Sequence, residues 1–115
     1  MSLLDDLVAA VQAGGVTRVS TLNEVPTSPG YPYAVVGLGS PDKVARTGDG
    51  AAGDLHLATV QFFGRDIDGV LDIADKGDLD GQRVDGRLVS RELASRPDRD
   101  PDDRGVVHIL HAHRL

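Results

Sequence analysis

Glycine and proline interrupt the apolar segments of this sequence at short intervals. The 115 residues include 14 glycines and 6 prolines, and the apolar runs between them have the length of single strands or short helices. This pattern favours short elements joined by tight turns. A chain of this length has room for one sizeable core, so we expect a single domain over residues 1–115.

Charge and aromatic content argue against several kinds of partner. Twelve basic and 18 acidic residues give a net charge of −6, which disfavours nucleic acid and anionic membranes. The aromatic residues are Tyr31, Tyr33, Phe62 and Phe63, so we expect no row of rings on which bases or sugars stack. The absence of cysteine excludes disulfides and thiolate zinc sites. Because the N-terminal segment has neither a basic region nor a long apolar run, we expect no signal peptide and no membrane span.

Residues 2–14 have the spacing of an amphipathic helix. Ser2 and Asp5 form the pattern of a capping box, and Gly14-Gly15 provides a left-handed exit. The apolar positions that share one face are Leu3, Leu4, Leu7, Val8 and Val11. We therefore predict that the chain begins with a helix.

A second, shorter helix is predicted after Asp66. Asp66 is a suitable N-cap residue, Gly69 weakens the helix, and Gly77 ends it. Its apolar face consists of Ile67, Val70, Leu71 and Ala74. Asp80-Gly81 and Asp85-Gly86 then mark two turns.

Five segments have the composition of strands, namely residues 16–22, 33–38, 55–63, 87–95 and 106–114. The run at 33–38 is almost wholly apolar and is predicted to be a central strand covered on both faces. Short strands joined by tight turns favour antiparallel pairing. The predicted fold is α+β, with a mainly antiparallel sheet of four to five strands and two helices packed on one face.

Two long polar loops are predicted, at residues 39–54 and 96–105. The first has almost no apolar side chain with which to pack against the core, so we expect it to be mobile in an isolated subunit and ordered at a contact. Its charged residues Lys43, Arg46, Asp49 and Asp54 are the predicted assembly interface. The second is charged and interrupted by prolines.

Two sequence motifs resemble ligand loops without meeting the requirements of such loops. Residues 48–53 read G-x-G-x-x-G, but they precede a predicted strand rather than a helix, so nucleotide binding is not expected. Asp98, Asp100 and Asp102 have the spacing of half a calcium loop. That loop lacks its glycine and its bidentate glutamate, because Asp103 and Ile109 occupy those positions.

Three histidines lie close together on the last predicted strand. His111 and His113 share one face and, with His56 as a third ligand, would suit a transition metal. No carboxylate lies at ligand spacing within the strand, so we expect His108, His111 and His113 to be exposed or at an interface. No serine lies in a G-x-S-x-G turn. We therefore predict a protein without enzymatic activity, catalytic residues, metal or cofactor.

The order of motifs resembles that of the tail terminator, or tail completion, proteins of long-tailed bacteriophages. The resemblance extends from about residue 3 to residue 114. Its motifs are Asn23-Glu24-Val25-Pro26, Tyr31-Pro32-Tyr33-Ala34-Val35-Val36, Thr47-Gly48-Asp49-Gly50, Leu55-His56-Leu57-Ala58-Thr59-Val60-Gln61-Phe62-Phe63, Leu79-Asp80-Gly81 and Asp103-Arg104-Gly105-Val106-Val107-His108. The second helix is shorter than in relatives, since Gly69 and Gly77 limit it.

The resemblance implies a structural virion protein that forms a hexameric ring and caps the tail tube. Its partners would be further copies of itself, the tail tube protein, and a head-tail connector or head-completion protein. It would lie in the tail or neck of the virion, and in the host cytoplasm before assembly. Two alternatives stay open: another phage neck or head-closure protein, and a small non-phage binding domain or enzyme with a histidine site on the last strand.

Overall fold

In a computed structural model, which describes residues 2–27, 30–39 and 57–115, the chain has an α+β fold. The described residues form two helices, a short 3-10 turn at Leu22–Glu24, and eight strands. The helices are α1 (Leu3–Ala13) and α2 (Ile67–Lys76). The strands are β1 (Val19–Thr21), β2 (Tyr33–Leu38), β3 (Leu57–Gly64), β4 (Arg83–Val84), β5 (Arg87–Leu88), β6 (Ser90–Ala94), β7 (Asp98–Arg99) and β8 (Val107–Arg114). Among these residues, neither helix has the length and apolar character that a membrane crossing requires.

Local capping signals set the limits of both helices. At the start of α1 the Ser2 hydroxyl accepts a hydrogen bond from the backbone N–H of Asp5 at 3.1 Å, which completes the predicted capping box. Gly15 has a φ of 117° and so provides the left-handed exit. At α2 the Asp66 carboxylate accepts from the Gly69 N–H at 2.6 Å, and Gly77 follows the last helical residue. Both predicted helices are confirmed.

The main sheet has six strands and is mixed. Its order is β1-β2-β3-β8-β6, and β7 also pairs with β8. All pairs are antiparallel except β1 with β2, in which Val19 lies opposite Ala34. The sheet is mainly antiparallel, as predicted, but it has six strands rather than four to five. The chain comes back to the starting end of β1 before β2 begins, so these two strands run in the same direction.

The C-terminal half contains more strands than the sequence pattern predicts. The predicted strand 87–95 is divided at Val89, which is buried and lies between two ladders. Before it, β5 pairs with β4 in a separate hairpin whose turn residues Asp85 and Gly86 have positive φ angles of 52° and 74°. After it, β6 joins the main sheet. The predicted loop 96–105 contains β7, in which Asp98 lies opposite His108.

The hydrophobic core lies between the helices and alternate residues of the central strands. Leu7 of α1 and Val70 of α2 belong to the same cluster as Val36, Val60 and Phe62 of the sheet. Residues 34–37 of β2 are all buried, as the apolar run predicts, although β2 lies between β1 and β3 and is second from the edge. The sheet therefore has one face directed towards this core and another directed away from it.

Candidate functional site

The predicted assembly residues cannot be placed in the fold. Lys43, Arg46, Asp49 and Asp54 lie outside the described residues, as does most of the loop 39–54 that carries them. The G-x-G-x-x-G motif at 48–53 and His56 also lie outside them. The candidate sites in the described part of the chain therefore consist of other residues.

A row of rings lies on the sheet face that is directed away from the core. Tyr33 stacks on Phe63 with ring centres 4.9 Å apart, and Phe63 stacks on His108 at 5.8 Å. Tyr31 extends the row at 5.3 Å from Tyr33, and the Arg65 guanidinium lies 4.4 Å from the centre of the Tyr31 ring. The expectation that the chain has no row of rings is therefore wrong.

Strand register accounts for this row. Tyr33 of β2 lies opposite Phe63 of β3, and Phe63 lies opposite His108 of β8. Residues that face one another across a ladder have neighbouring side chains, so three strands bring their rings into one line. Burial raises the pKa of Tyr33, and the nearby Tyr31 and Asp100 raise it further.

A cavity of about 440 Å³ borders the His108 end of the row. Its other lining residues are Ser95, Arg96, Pro97 and Asp98. The cavity has the cationic side chain of Arg96 and the anionic side chain of Asp98 beside the His108 ring. It can therefore offer both polar and stacking contacts. The row of rings thus extends from Arg65 at one end to this cavity at the other.

A second group of polar residues is buried on the core side of the sheet. His111 and His113 of β8 are only 5% and 1% exposed, so the expectation that they are exposed or at an interface is wrong for the isolated chain. They follow the core-facing residue Ile109 at two-residue spacing, and β3 and β6 flank them on either side. Polar residues in the last predicted strand favour a solvent-exposed face. The pairing of β8 with β3 and β6 instead places the face that carries His111 and His113 against the core.

Asp78, which is only partly buried, lies beside these two histidines. It lies two residues after the end of α2, and its carboxylate, with one nitrogen of His111 and one of His113, forms a set of donor atoms that all lie within 4.8 Å of one another. Arg91 of β6 forms an ion pair with the same carboxylate. Sequence spacing does not reveal Asp78, because it lies far from the histidines along the chain and the sheet brings them together.

No protein-family model matches the chain, and no curated protein is significantly similar to it.

Burial dominates the electrostatics of the two histidines. It lowers the pKa of His111 and that of His113, because a charged imidazolium is poorly solvated in the core. Asp78 opposes this shift at both rings, while Arg91 reinforces it. At His113 the Ala58 backbone beside the ring and Asp80 also oppose the shift. Both rings are consequently neutral at neutral pH.

We expect the free energy of unfolding of the metal-free protein to decrease as the pH falls below about 6.5. The unfolded chain binds protons at its histidines near that pH, whereas His111 and His113 bind them only at lower pH in the folded state. The unfolded state then binds more protons, so acidification favours it. Urea unfolding between about pH 7 and pH 5 measures the effect.

Two single variants separate these histidines from the rest of the chain. His113→Asn removes one of the lowered pKa values and should make the pH dependence shallower. His111→Asn, on the same face of the strand, should have the same effect. An identical slope in wild type and His113→Asn would contradict the prediction.

Proposed function

We propose that the protein is a structural component of a phage neck, namely a tail terminator that caps the tail tube and ends its polymerisation. In this role it also joins the tail to a head-tail connector or head-completion protein. The motifs in residues 23–36, 47–63, 79–81 and 103–108 support the proposal by their resemblance to tail terminators. It acts without catalysis or cofactor, in the virion, after a stage in the host cytoplasm.

The observation that carries the proposal is the sheet face opposite the core. Both helices cover the core side, and no helix of the described residues lies over the other side. That side carries the half-buried apolar residues Phe63, Leu110 and Ala112 beside the row of rings. Partly exposed apolar surface of this kind is typical of subunit contacts.

Contact between copies of the chain accounts for the half-buried apolar residues on this face. When each copy contacts the next through two different surfaces, the repeated contact builds up a series of copies. The series forms a closed ring if the rotation between neighbouring copies adds up to a full turn. The resemblance implies six copies. In this arrangement the sheet provides a rigid wall, and the loops at its ends meet the tube and the connector.

Assembly of the full chain with purified tail tube protein tests the proposal. Light scattering and negative-stain electron microscopy of the protein, alone and with tube protein, should detect rings, either free or bound to tube ends. A persistent monomer that never binds tube ends would overturn the proposal. The rings are also expected to limit the length of tubes that polymerise in their presence.

A matched pair of substitutions locates the subunit contact. Leu110→Lys places a charge on the face opposite the core and should abolish ring formation, whereas Leu71→Lys, at an exposed position of α2, should leave it intact. Thermal unfolding shows whether both variants are folded. Equal assembly of the two folded variants would exclude this face as the contact.

A second candidate is the small non-phage binding domain or enzyme with its site on the last strand. The convergence of Asp78, His111 and His113 favours it, because two neutral imidazoles and a carboxylate are groups used in proton transfer and metal binding. The remaining alternative is another neck or head-closure protein. Neighbouring genes for tube and connector proteins would favour the two virion roles over the binding domain.

A further inference from the structure

The buried imidazoles of β8 lack the hydrogen bonds that buried polar groups normally make. Nδ1 of His111 and both ring nitrogens of His113 make no hydrogen bond of ordinary geometry among the described residues, although the Ala58 backbone lies close to the His113 ring. Nδ1 of His108, on the opposite face of the strand, also lacks a partner there. Each neutral imidazole has one N–H donor and one lone pair to satisfy. An unsatisfied buried polar group is unfavourable, so a ligand that binds these nitrogens would stabilise the folded chain.

The donor atoms already have the spacing of a metal centre. One nitrogen of His111, one nitrogen of His113 and a carboxylate oxygen of Asp78 lie within 4.8 Å of one another. Two atoms that bind one zinc ion at about 2.0–2.2 Å lie roughly 3–4 Å apart, so small side-chain rotations suffice to form such a centre. We propose that Asp78, His111 and His113 bind a divalent transition-metal ion, for which Zn²⁺ is the reference.

The chemistry of the donor set selects the class of metal. Imidazole nitrogen favours zinc and its transition-metal neighbours, whereas calcium and magnesium prefer sites made of oxygen alone. Two histidines and one carboxylate make three protein ligands. A cavity of about 250 Å³ borders Asp78 and His111, and it has room for a water molecule as a further ligand.

Arg91 and the Asp80 N–H surround the carboxylate. The Arg91 guanidinium pairs with one oxygen of Asp78, and the other oxygen accepts a hydrogen bond from the Asp80 backbone at 3.0 Å. A carboxylate has about four lone-pair positions on its two oxygens, so these contacts leave capacity for a metal. Hydrogen bonds of this kind also orient carboxylate ligands. Arg91 is therefore a positioning residue, and its positive charge moderates the affinity.

The metal would join two parts of the fold that are distant in sequence. Asp78 follows α2, and both histidines lie on β8, so the ion ties the end of the helix to the middle of the sheet. In a chain without cysteine, such a link supplies a cross-connection that disulfides provide elsewhere. The proposal concerns the isolated chain and does not depend on the virion role.

Zinc titration of the full chain, without a polyhistidine tag and after removal of metal with EDTA, tests the site. Calorimetry should give one Zn²⁺ per chain. At a hundredfold excess of zinc over the dissociation constant, the melting temperature should rise by about 10 °C. Cobalt in place of zinc should give the visible absorption of a site with four or five ligands. No heat and an unchanged melting temperature would overturn the proposal.

Three variants identify the ligands. Asp78→Asn keeps the size of a partly exposed side chain and should weaken zinc binding at least about tenfold, and His113→Asn should abolish it. His108→Asn, on the opposite face of the same strand, should bind as wild type does. If His113→Asn does not fold, Asp78→Asn decides alone. Undiminished binding by Asp78→Asn, or loss of binding in His108→Asn, would show that zinc binds elsewhere and would overturn the assignment.

Discussion

Replacement of Phe62 by alanine is expected to lower the free energy of unfolding by about 3–5 kcal/mol. Phe62 is fully buried in the cluster that both helices share with the sheet. Its ring packs edge-on against His111 at 5.1 Å, and a Cβ built at Gly77 would lie only 2.7 Å from it. Removing the ring leaves a cavity between sheet and helix α2. Because domains are stable by only about 5–15 kcal/mol, urea unfolding should show a large loss.

Phe63 offers a matched control for this substitution. It is the next residue on the same strand, but it is half-buried on the opposite face, in the row of rings. Phe63→Ala should therefore cost clearly less stability than Phe62→Ala, because surrounding water replaces part of the lost contact. Equal losses at the two positions would contradict the assignment of Phe62 alone to the core.

The helices could be predicted from sequence because their signals are local. Ser2 and Asp5 at one helix, and Asp66 at the other, cap backbone groups three residues away. The apolar spacing then identifies the buried face, and Gly77 marks an end. The two Asp-Gly turns are local in the same sense: Gly81 and Gly86 both have positive φ angles. None of these features needs knowledge of a distant partner.

Strand order and register could not be predicted, because they depend on pairing between distant segments. Nothing in residues 19–21 indicates that β1 runs parallel to β2 and lies at an edge. The row of rings has the same origin: Tyr33, Phe63 and His108 come from three strands, and only their register aligns them. A count of aromatic residues therefore underestimates how many rings a sheet can gather.

The buried cluster shows a different limit of sequence reasoning. Polar residues such as His111 and His113 are typical of a solvent face, so their position in the last predicted strand favours exposure or an interface rather than burial. Burial of these rings requires the strand to lie inside the sheet, with β6 beyond it. Asp78, the nearby carboxylate, follows a helix rather than the strand, and neither spacing nor composition connects it with the histidines.

Replacement of Gly14 by alanine is expected to lower the free energy of unfolding by about 1–3 kcal/mol. A Cβ at Gly14 would overlap the backbone carbonyl oxygen of Lys76, where the end of α1 meets the end of α2. The φ of Gly14 is −73°, which alanine adopts without strain, so the steric contact alone determines the sign. Without that contact the same substitution would stabilise the protein by about 0.4–1 kcal/mol, since it restricts the unfolded chain.

Gly69→Ala within α2 is the control, and its effect should have the opposite sign. There the new Cβ would approach, to 2.9 Å, the Asp66 carboxylate oxygen that caps the Gly69 N–H. A shift of this side chain by a few tenths of an ångström relieves the contact and keeps the cap, whereas the Lys76 carbonyl belongs to the backbone. Alanine inside a helix is favoured over glycine by about 1 kcal/mol, so Gly69→Ala should raise the unfolding free energy by up to that amount. Urea unfolding of both variants under identical conditions makes the comparison. If Gly14→Ala were as stable as Gly69→Ala, the two helices could not approach each other as closely as the structure places them.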